Sequence, residues 1–341
     1  MRHFDEQAFY NKRTFEATGW TYLQEYAVDF LDWYEECLKI APTLPAKDWM
    51  IAHDMLTPKD FWRAMRRGIG NYFRAQGVFP DFREARDFTA MTLLNSIISP
   101  MPRVNPADKL LVGKYIPKGV RSKIRPPKVF AAFSDADDLD KAALEPGHYV
   151  IKSNHGSSHV IRAKAPISDA DMAAYKATCA KWIAGDHGKF SSQWWYQFID
   201  RKVFIEEDLC REEGEIVPDF RFHCINGKVA LLQLDLGLGT DARNNPVFDG
   251  DLNYMPHDFL RANKGEVDLP EGAEAARKAA AAICKKFPYV RVDTYVRDGE
   301  VFLGELTFLP NSGRRRIQSE ELNEYLCGFF DPIPQVVAIG A

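Results

Sequence analysis

The sequence lacks most of the marks that place a protein quickly. None of its six cysteines forms a Cys-x-x-Cys pair, which excludes zinc knuckles and thioredoxin-like dithiols. Scattered as Cys37, Cys179, Cys210, Cys224, Cys284 and Cys327, they read as reduced, mostly buried thiols. Neither sign of charge dominates: Lys+Arg 44 against Asp+Glu 48 gives −4, so no global basic field attracts nucleic acid or an anionic membrane. The longest uncharged stretch, Phe88 to Pro102, is too short and too broken by Asn95 and Pro100 to span a bilayer. The opening MRHFDEQAFY has no apolar run for a secretory signal, and a cytoplasmic location is expected. No repeat or low-complexity tract is present, and no Ser/His/Asp or Cys/His nucleophile arrangement. Gly237-Leu238-Gly239 lacks the third glycine and the helix of a dinucleotide fingerprint.

What remains is an ordinary folded composition. Over 341 residues, 46% are hydrophobic and 13% aromatic, including seven Trp. That is enough for a large core and roughly two or three domains. The first hundred residues read as helices. Leu23, Ala27, Phe30, Leu31, Tyr34 and Leu38 form a helical stripe, Thr57-Pro58-Lys59-Asp60 is a helix start, and Phe82 to Ile97 reads as a further helix. After about residue 104 strands alternate with helices, and Asn226-Gly227 marks a two-residue hairpin turn. Helices are expected over Asp169 to Ala184 and Ala273 to Phe287. Hairpins dominate, so the class is α+β with antiparallel sheets. The expected division is a helical region over 1–103, a small lobe over 104–190 and a large lobe over 191–341.

Three stretches carry chemistry. In Tyr289 to Gly313, two strands flank Asp298-Gly299 and each has one mainly apolar face and one charged face. A two-residue loop would put Asp293 and Glu305 on opposite faces of this ribbon. A three-residue loop, Arg297 to Gly299, restores the parity and sets Arg291 opposite Glu305. Two carboxylates and an arginine then converge, which suits magnesium and the phosphates it carries; the plainer alternative is a solvated ion pair. In His148 to Arg162, Lys152 ends a strand and Gly156, Ser157 and Ser158 form a small polar loop. Such a loop lets backbone N–H groups approach phosphate; a flexible hairpin with an exposed lysine is the alternative. In Val203 to Phe222, a strand runs into Glu206-Glu207-Asp208-Leu209 and a new one opens at Asp219. This reads either as a hinge that meets a nucleotide base, with an acid for ribose hydroxyls, or as a strand end with a solvated acidic loop.

The order of these parts resembles the ATP-grasp superfamily. FPYVRVDTYVRDGEVFLGELTFLPNSG, EEDL and PDFRFHCINGK resemble its teichuronopeptide-biosynthesis (TupA-like) branch, from about Asn105 to the C-terminus. The resemblance implies two α+β lobes that sandwich ATP and activate a carboxylate as an acylphosphate, which an amine then attacks. It implies Lys109, in Asp108-Lys109-Leu110, and Lys152 as the ATP lysines, with Gly156, Ser157 and Ser158 as the closing loop. Glu206 to Leu209 resemble the adenine hinge and Asp219 the ribose acid, with Glu213 competing for that role. Asp293 and Glu305 resemble the Mg²⁺ ligands, and Arg291 the arginine that stabilises the transferred phosphate. Thr307 stands where many relatives have Asn, with Asn311 as the alternative ligand. Arg314, Arg315 and Arg316 follow, as a grip on an anionic substrate or as a solvated basic turn. The implied cofactors are ATP and Mg²⁺, and the implied partners are a saccharide or small-molecule carboxylate and an amino acid. A kinase acting on a sugar or lipid hydroxyl would use the same ATP parts, and a nucleotide-binding scaffold is the non-catalytic alternative.

Overall fold

The computed structural model describes residues 32, 49–50, 52–82, 86–210, 212 and 214–330. The stripe residues Leu23, Ala27, Phe30, Leu31, Tyr34 and Leu38, and Glu213, lie outside them. Helix α1 (Pro58–Gln76) begins where the sequence says: Pro58 opens it and the Thr57 hydroxyl accepts from the Asp60 N–H. Gly77, at φ 75, closes it in the left-handed conformation. Helix α2 (Phe88–Ile98) starts later than the apolar pattern suggests. The Asp87 carboxylate caps it by accepting from the Ala90 N–H at 2.7 Å. Helices α3 (Asp169–Ala184), α4 (Ala273–Ile283) and α5 (Glu320–Cys327) follow, α4 ending in a 3₁₀ turn at Cys284–Lys286. Among the described residues no helix is long and apolar enough to cross a membrane.

The strands are β1 (Trp49–Met50), β2 (Met101–Pro102), β3 (Ile124–Arg125), β4 (Val129–Phe133), β5 (Gly147–Ser153), β6 (Val160–Ala165), β7 (Val203–Glu207), β8 (Asp219–Ile225), β9 (Lys228–Asp235), β10 (Val247–Asp249), β11 (Tyr254–Met255), β12 (Tyr289–Arg297) and β13 (Glu300–Thr307). They form a two-stranded ribbon β1-β2, a four-stranded sheet β4-β7-β5-β6 and a seven-stranded sheet β11-β10-β9-β8-β12-β13-β3. Every pairing is antiparallel except β3 with β13. The α+β class with antiparallel sheets and helices at the N-terminal side is what the structure has. The division at residue 190 does not follow the sheets, because β7 belongs to the small sheet and β3 to the large one.

Each sheet buries one face under a helix. In the small sheet, Tyr149, Ile151, Ala163, Val203 and Ile205 pack with Cys179 of α3 in a core of their own. In the large sheet, Val290 and Val292 share a core with Ala276, Ala280 and Ile283 of α4. The opposite face of the large sheet carries Arg291, Asp293 and Tyr295 on β12, with His223, Arg221 and Asp219 beside them on β8. Helix α2 covers one end of it, its Phe88 ring lying edge-on to His223 at 6.0 Å and to Tyr289 at 5.7 Å. The described part of the helical region is therefore built into the large lobe and shares its core.

That region also holds the turn after β13. Asn311 and Ser312 both have left-handed backbones, at φ 50 and 54, a strained pair for residues with a Cβ. The Asn71 side chain of α1 donates to the Ser312 carbonyl at 2.9 Å, and Gln193 donates to the Leu309 carbonyl at 3.0 Å and the Ser312 hydroxyl at 3.2 Å. Asn71→Ala leaves that buried carbonyl without its side-chain donor and should cost about 1–3 kcal/mol. Urea unfolding should show a lower midpoint with an unchanged slope; an unchanged midpoint would show that the turn stands without α1.

Candidate active site

The β12–β13 hairpin has a two-residue loop, Asp298-Gly299, with Arg297 paired to Glu300 and φ values of 50 and 75. The expected three-residue loop is absent, and Arg291 stands opposite Thr307, not Glu305. Parity is corrected farther along the ribbon. Asp293 pairs with Glu305 but Thr294 pairs with Leu303, so Gly304 is left over as a β-bulge. A Cβ there would come within 2.7 Å of the Tyr295 ring, so the position takes glycine. The bulge brings Asp293 and Glu305 directly across from each other on the polar face.

Around them the charges interlock. The Arg291 guanidinium grips both oxygens of Asp293 (Nε to Oδ1, 2.6 Å), lies 3.4 Å from Glu305 Oε1 and donates to the Thr307 hydroxyl at 3.1 Å. Thr307 donates in turn to Glu305 at 3.2 Å. Lys109 reaches Glu305 Oε2 at 3.4 Å from the other side. Burial pushes the Asp293 carboxyl up to about 7 despite Arg291. Burial acts on Glu305 too, but Lys109 and Arg291 outweigh it and hold that carboxyl at about 2. The Glu305 side chain is 34% accessible and that of Asp293 4%, so Glu305 is the more accessible of the two carboxylates.

The small lobe carries the second candidate lysine. Lys152 on β5 pairs with Glu206 on β7, on the face of the small sheet turned away from α3. The loop after β5 is folded in advance. Asn154, fully buried, donates to Asp108 at 3.0 Å and to the Asp200 carbonyl at 2.9 Å, and accepts from the Lys202 N–H at 2.8 Å. The Lys109 ammonium donates to the Gly156 carbonyl at 2.6 Å, so one lysine links the loop to Glu305. Ser157 is exposed, and Ser158 takes a left-handed backbone at φ 61. His159 turns back beneath the loop, with Nδ1 2.7 Å from the Ser153 hydroxyl and its ring stacked on Trp182 at 5.0 Å. A Cβ on Gly156 would lie 2.2 Å from that imidazole.

At the end of β7, Glu207 pairs with Arg125 at 2.7 Å, and Arg125 also meets Glu300 at 3.1 Å, bridging the two sheets. Asp208 accepts from the Cys210 N–H at 2.9 Å, and Leu209 is half-buried between them. Asp219 is buried and paired with Arg221 at 2.7 Å, while its Oδ1 has no hydrogen-bond partner among the described residues. The sequence reading missed Arg221, Asp235 and Arg243. Arg221 lies beside Asp293 in the sheet and meets Asp235 at 2.9 Å, and Arg243 reaches Asp235 from the next segment. Alternation within DFRFHCI was the available signal for Arg221. The three arginines after β13 are exposed, and the Arg314 Nε donates to the Asn311 carbonyl at 3.3 Å.

Asp293, Glu305 and Thr307 present hard oxygen donors, as Mg²⁺ requires. Among the described residues no three His, Cys, Asp or Glu gather as a metal cage. Two carboxylates with the remaining positions left to phosphate and water fit a metal that arrives with a nucleotide.

A sequence model of the TupA-like ATPgrasp family matches residues 90–331. The chain belongs to the TupA-like ATP-grasp family. Among solved structures it is similar to D-alanine–D-alanine ligase from Bacillus anthracis complexed with ATP, at 16% identity and a TM-score of 0.39, covering 69% of this chain and 64% of that one. It is similar to the macrocyclase MdnC from Microcystis aeruginosa MRC bound with its precursor peptide MdnA, at 13% identity and a TM-score of 0.34, covering 65% and 61%. The match thus spans less than two thirds of either enzyme's length. No curated protein matches the chain.

The His159 placement has a pH consequence. Burial, then His155, His187 and Lys109, push its imidazole down to about 4. A histidine that binds its proton less tightly when folded contributes stability that is complete above about 6.5 and lost as pH falls towards about 4. His159→Phe, which keeps a ring on Trp182, should therefore flatten the fall in stability across that window, followed by urea unfolding at stepped pH. A slope identical to wild type would contradict the buried, neutral imidazole.

Proposed function

We propose that the chain is an ATP-dependent carboxylate–amine ligase. The observation that carries this reading is the meeting of Arg291, Asp293, Glu305 and Thr307 on one face, with Lys109 joining them to the loop Gly156–Ser158. Phosphoryl transfer needs positioning and charge neutralisation more than covalent chemistry. Mg²⁺, held by Asp293 and Glu305 with Thr307 beside them, would offset the charge of the ATP phosphates. Lys109 and Lys152 hold the phosphates from the small lobe, and backbone N–H groups of Gly156, Ser157 and Ser158 close over them. The base lies against the end of β7, at Glu206 to Leu209, and Asp219 offers its unpartnered oxygen to a ribose hydroxyl.

Arg291 is placed to stabilise the γ-phosphoryl as it passes to a substrate carboxylate. Its grip on Asp293 keeps the guanidinium rigid, so little reorganisation is needed at the moment of transfer. The acylphosphate oxygen is then displaced by an amine, with phosphate as the leaving group. The buried cradle keeps water from competing. The family's teichuronopeptide branch supports a uronic-acid carboxylate as acceptor and an amino acid as amine, in bacterial surface polysaccharide biosynthesis in the cytoplasm.

Given ATP, Mg²⁺, a uronate and hydroxylamine, the enzyme should release ADP and phosphate in step and form a hydroxamate. A phosphorylated sugar hydroxyl, without hydroxamate or free phosphate, would overturn the ligase reading and make the protein a kinase.

A further inference from the structure

The face of the small sheet that looks away from α3 carries charge beyond Lys152. On β5 His148 stands opposite Lys164 of β6, and Val150 opposite Arg162, so three basic side chains occupy neighbouring rows of one face. Ala163, between Arg162 and Lys164, turns the other way into the core with Cys179. The segment that connects β7 to β8 faces this end of the sheet. Between the two lies a cavity of about 410 Å³ whose lining includes His148, Arg162, Lys164, Asp208, Glu212 and Gly214. That volume is within the range of small-molecule sites.

The connecting segment is fastened from both sides. Arg162 donates to the Cys210 sulfur at 2.6 Å and to the Glu215 carbonyl at 3.2 Å, and its Nε lies 3.5 Å from Asp208 Oδ2. Arg297 of β12 grips the Glu215 carboxylate. Asp208, 6% accessible, and Arg162 thus neutralise each other at the cavity wall. Lys164 and Glu212 stand differently. Both are exposed on the lining, and among the described residues neither has an ion-pair partner, nor do they pair with each other. One cavity therefore presents one unmatched ammonium and one unmatched carboxylate.

Two opposite charges that line one cavity without touching suit a ligand that carries both. We propose that the cavity binds a small zwitterion, an α-amino acid or a short peptide, with its carboxylate on Lys164 and its ammonium on Glu212. An ion of one sign gains only one of these charge-assisted contacts. Along β5, His148 is four residues from Lys152, roughly 13 Å at ~3.3 Å per residue. The ligand therefore sits away from the phosphates and acts as an effector, not as the amine that is joined. Asp208 belongs both to this cavity and to the stretch Glu206 to Leu209 that meets the base. A zwitterion that ties the segment to β6 pre-organises that stretch and strengthens MgATP binding. The effect on nucleotide rests on the reading of Glu206 to Leu209 as the base contact; the binding of the zwitterion does not.

Calorimetry on the nucleotide-free protein tests the site, with L-alanine, trialanine, acetate and methylammonium as probes. One of the two zwitterions should bind about tenfold more tightly than either singly charged ion. Tighter binding of alanine marks an amino-acid effector, and tighter binding of trialanine a peptide. Lys164→Gln and Glu212→Gln should each weaken that binding about tenfold, the loss of one charge-assisted hydrogen bond, and Lys164→Arg should retain most of it. Zwitterion binding no tighter than acetate, or an unchanged affinity in either glutamine variant, would overturn the site. MgATP affinity is then measured with and without the bound zwitterion, and should rise several-fold with it. Zwitterion binding without any MgATP binding would sink the base-contact reading and leave the site. MgATP binding that the zwitterion leaves unchanged would remove the effector role, and MgATP binding without zwitterion binding would sink the site alone.

Discussion

A hairpin with a two-residue turn fixes the face of every residue along both strands, and in this protein that rule works against the pair of acids. Asp293 and Glu305 would point to opposite sides of the sheet. Glu305 would then lie on the α4 side, among Val290, Val292 and Ile283, where an unpaired carboxylate is severely unfavourable. The unpaired Gly304 removes the conflict. Its missing side chain leaves room for the Tyr295 ring, and the extra residue turns Glu305 towards Arg291 and Lys109. The polar face and its salt bridges depend on this bulge.

Charge on that face is balanced by contact, and the balance has a direction. Asp293 is almost wholly buried under Arg291, so the pair behaves as a fixed dipole in the floor of the site. Breaking such a pair exposes a buried charge at a cost of about 3–5 kcal/mol, which keeps Arg291 in place whatever binds above it. Glu305 is more accessible and is shared between Arg291 and the small-lobe contact through Lys109. Lys109, bonded also to the Gly156 carbonyl, touches both the carboxylate and the loop.

Much of this was legible in the sequence and some was not, for reasons of range. Local signals read well: Thr57-Pro58 started a helix, and Asn226-Gly227 and Asp298-Gly299 adopted the positive φ that two-residue turns need. Membership of the α+β class followed from the excess of hairpins over crossovers. The parity conflict was visible as well, but its resolution was assigned to the loop when it lay at Gly304. A glycine inside an alternating strand is a recognised sign of a bulge. The cluster of Arg221, Asp235 and Arg243 needs the register of three strands and a following segment, which no local pattern supplies. The same limit explains β7, whose sequence reads as a strand but whose partners, β4 and β5, lie some 50 or more residues away.

The proposed function requires Asp293 and Glu305 to seat a divalent metal carried by a nucleotide. Electron paramagnetic resonance of Mn²⁺ tests it directly, because free and bound Mn²⁺ give different spectra. With ADP present, the wild-type protein should bind Mn²⁺, and Glu305→Gln, which keeps the size of the side chain but not its charge, should lose most of that bound signal. Equal Mn²⁺ binding in the two proteins, with or without ADP, would contradict the assignment.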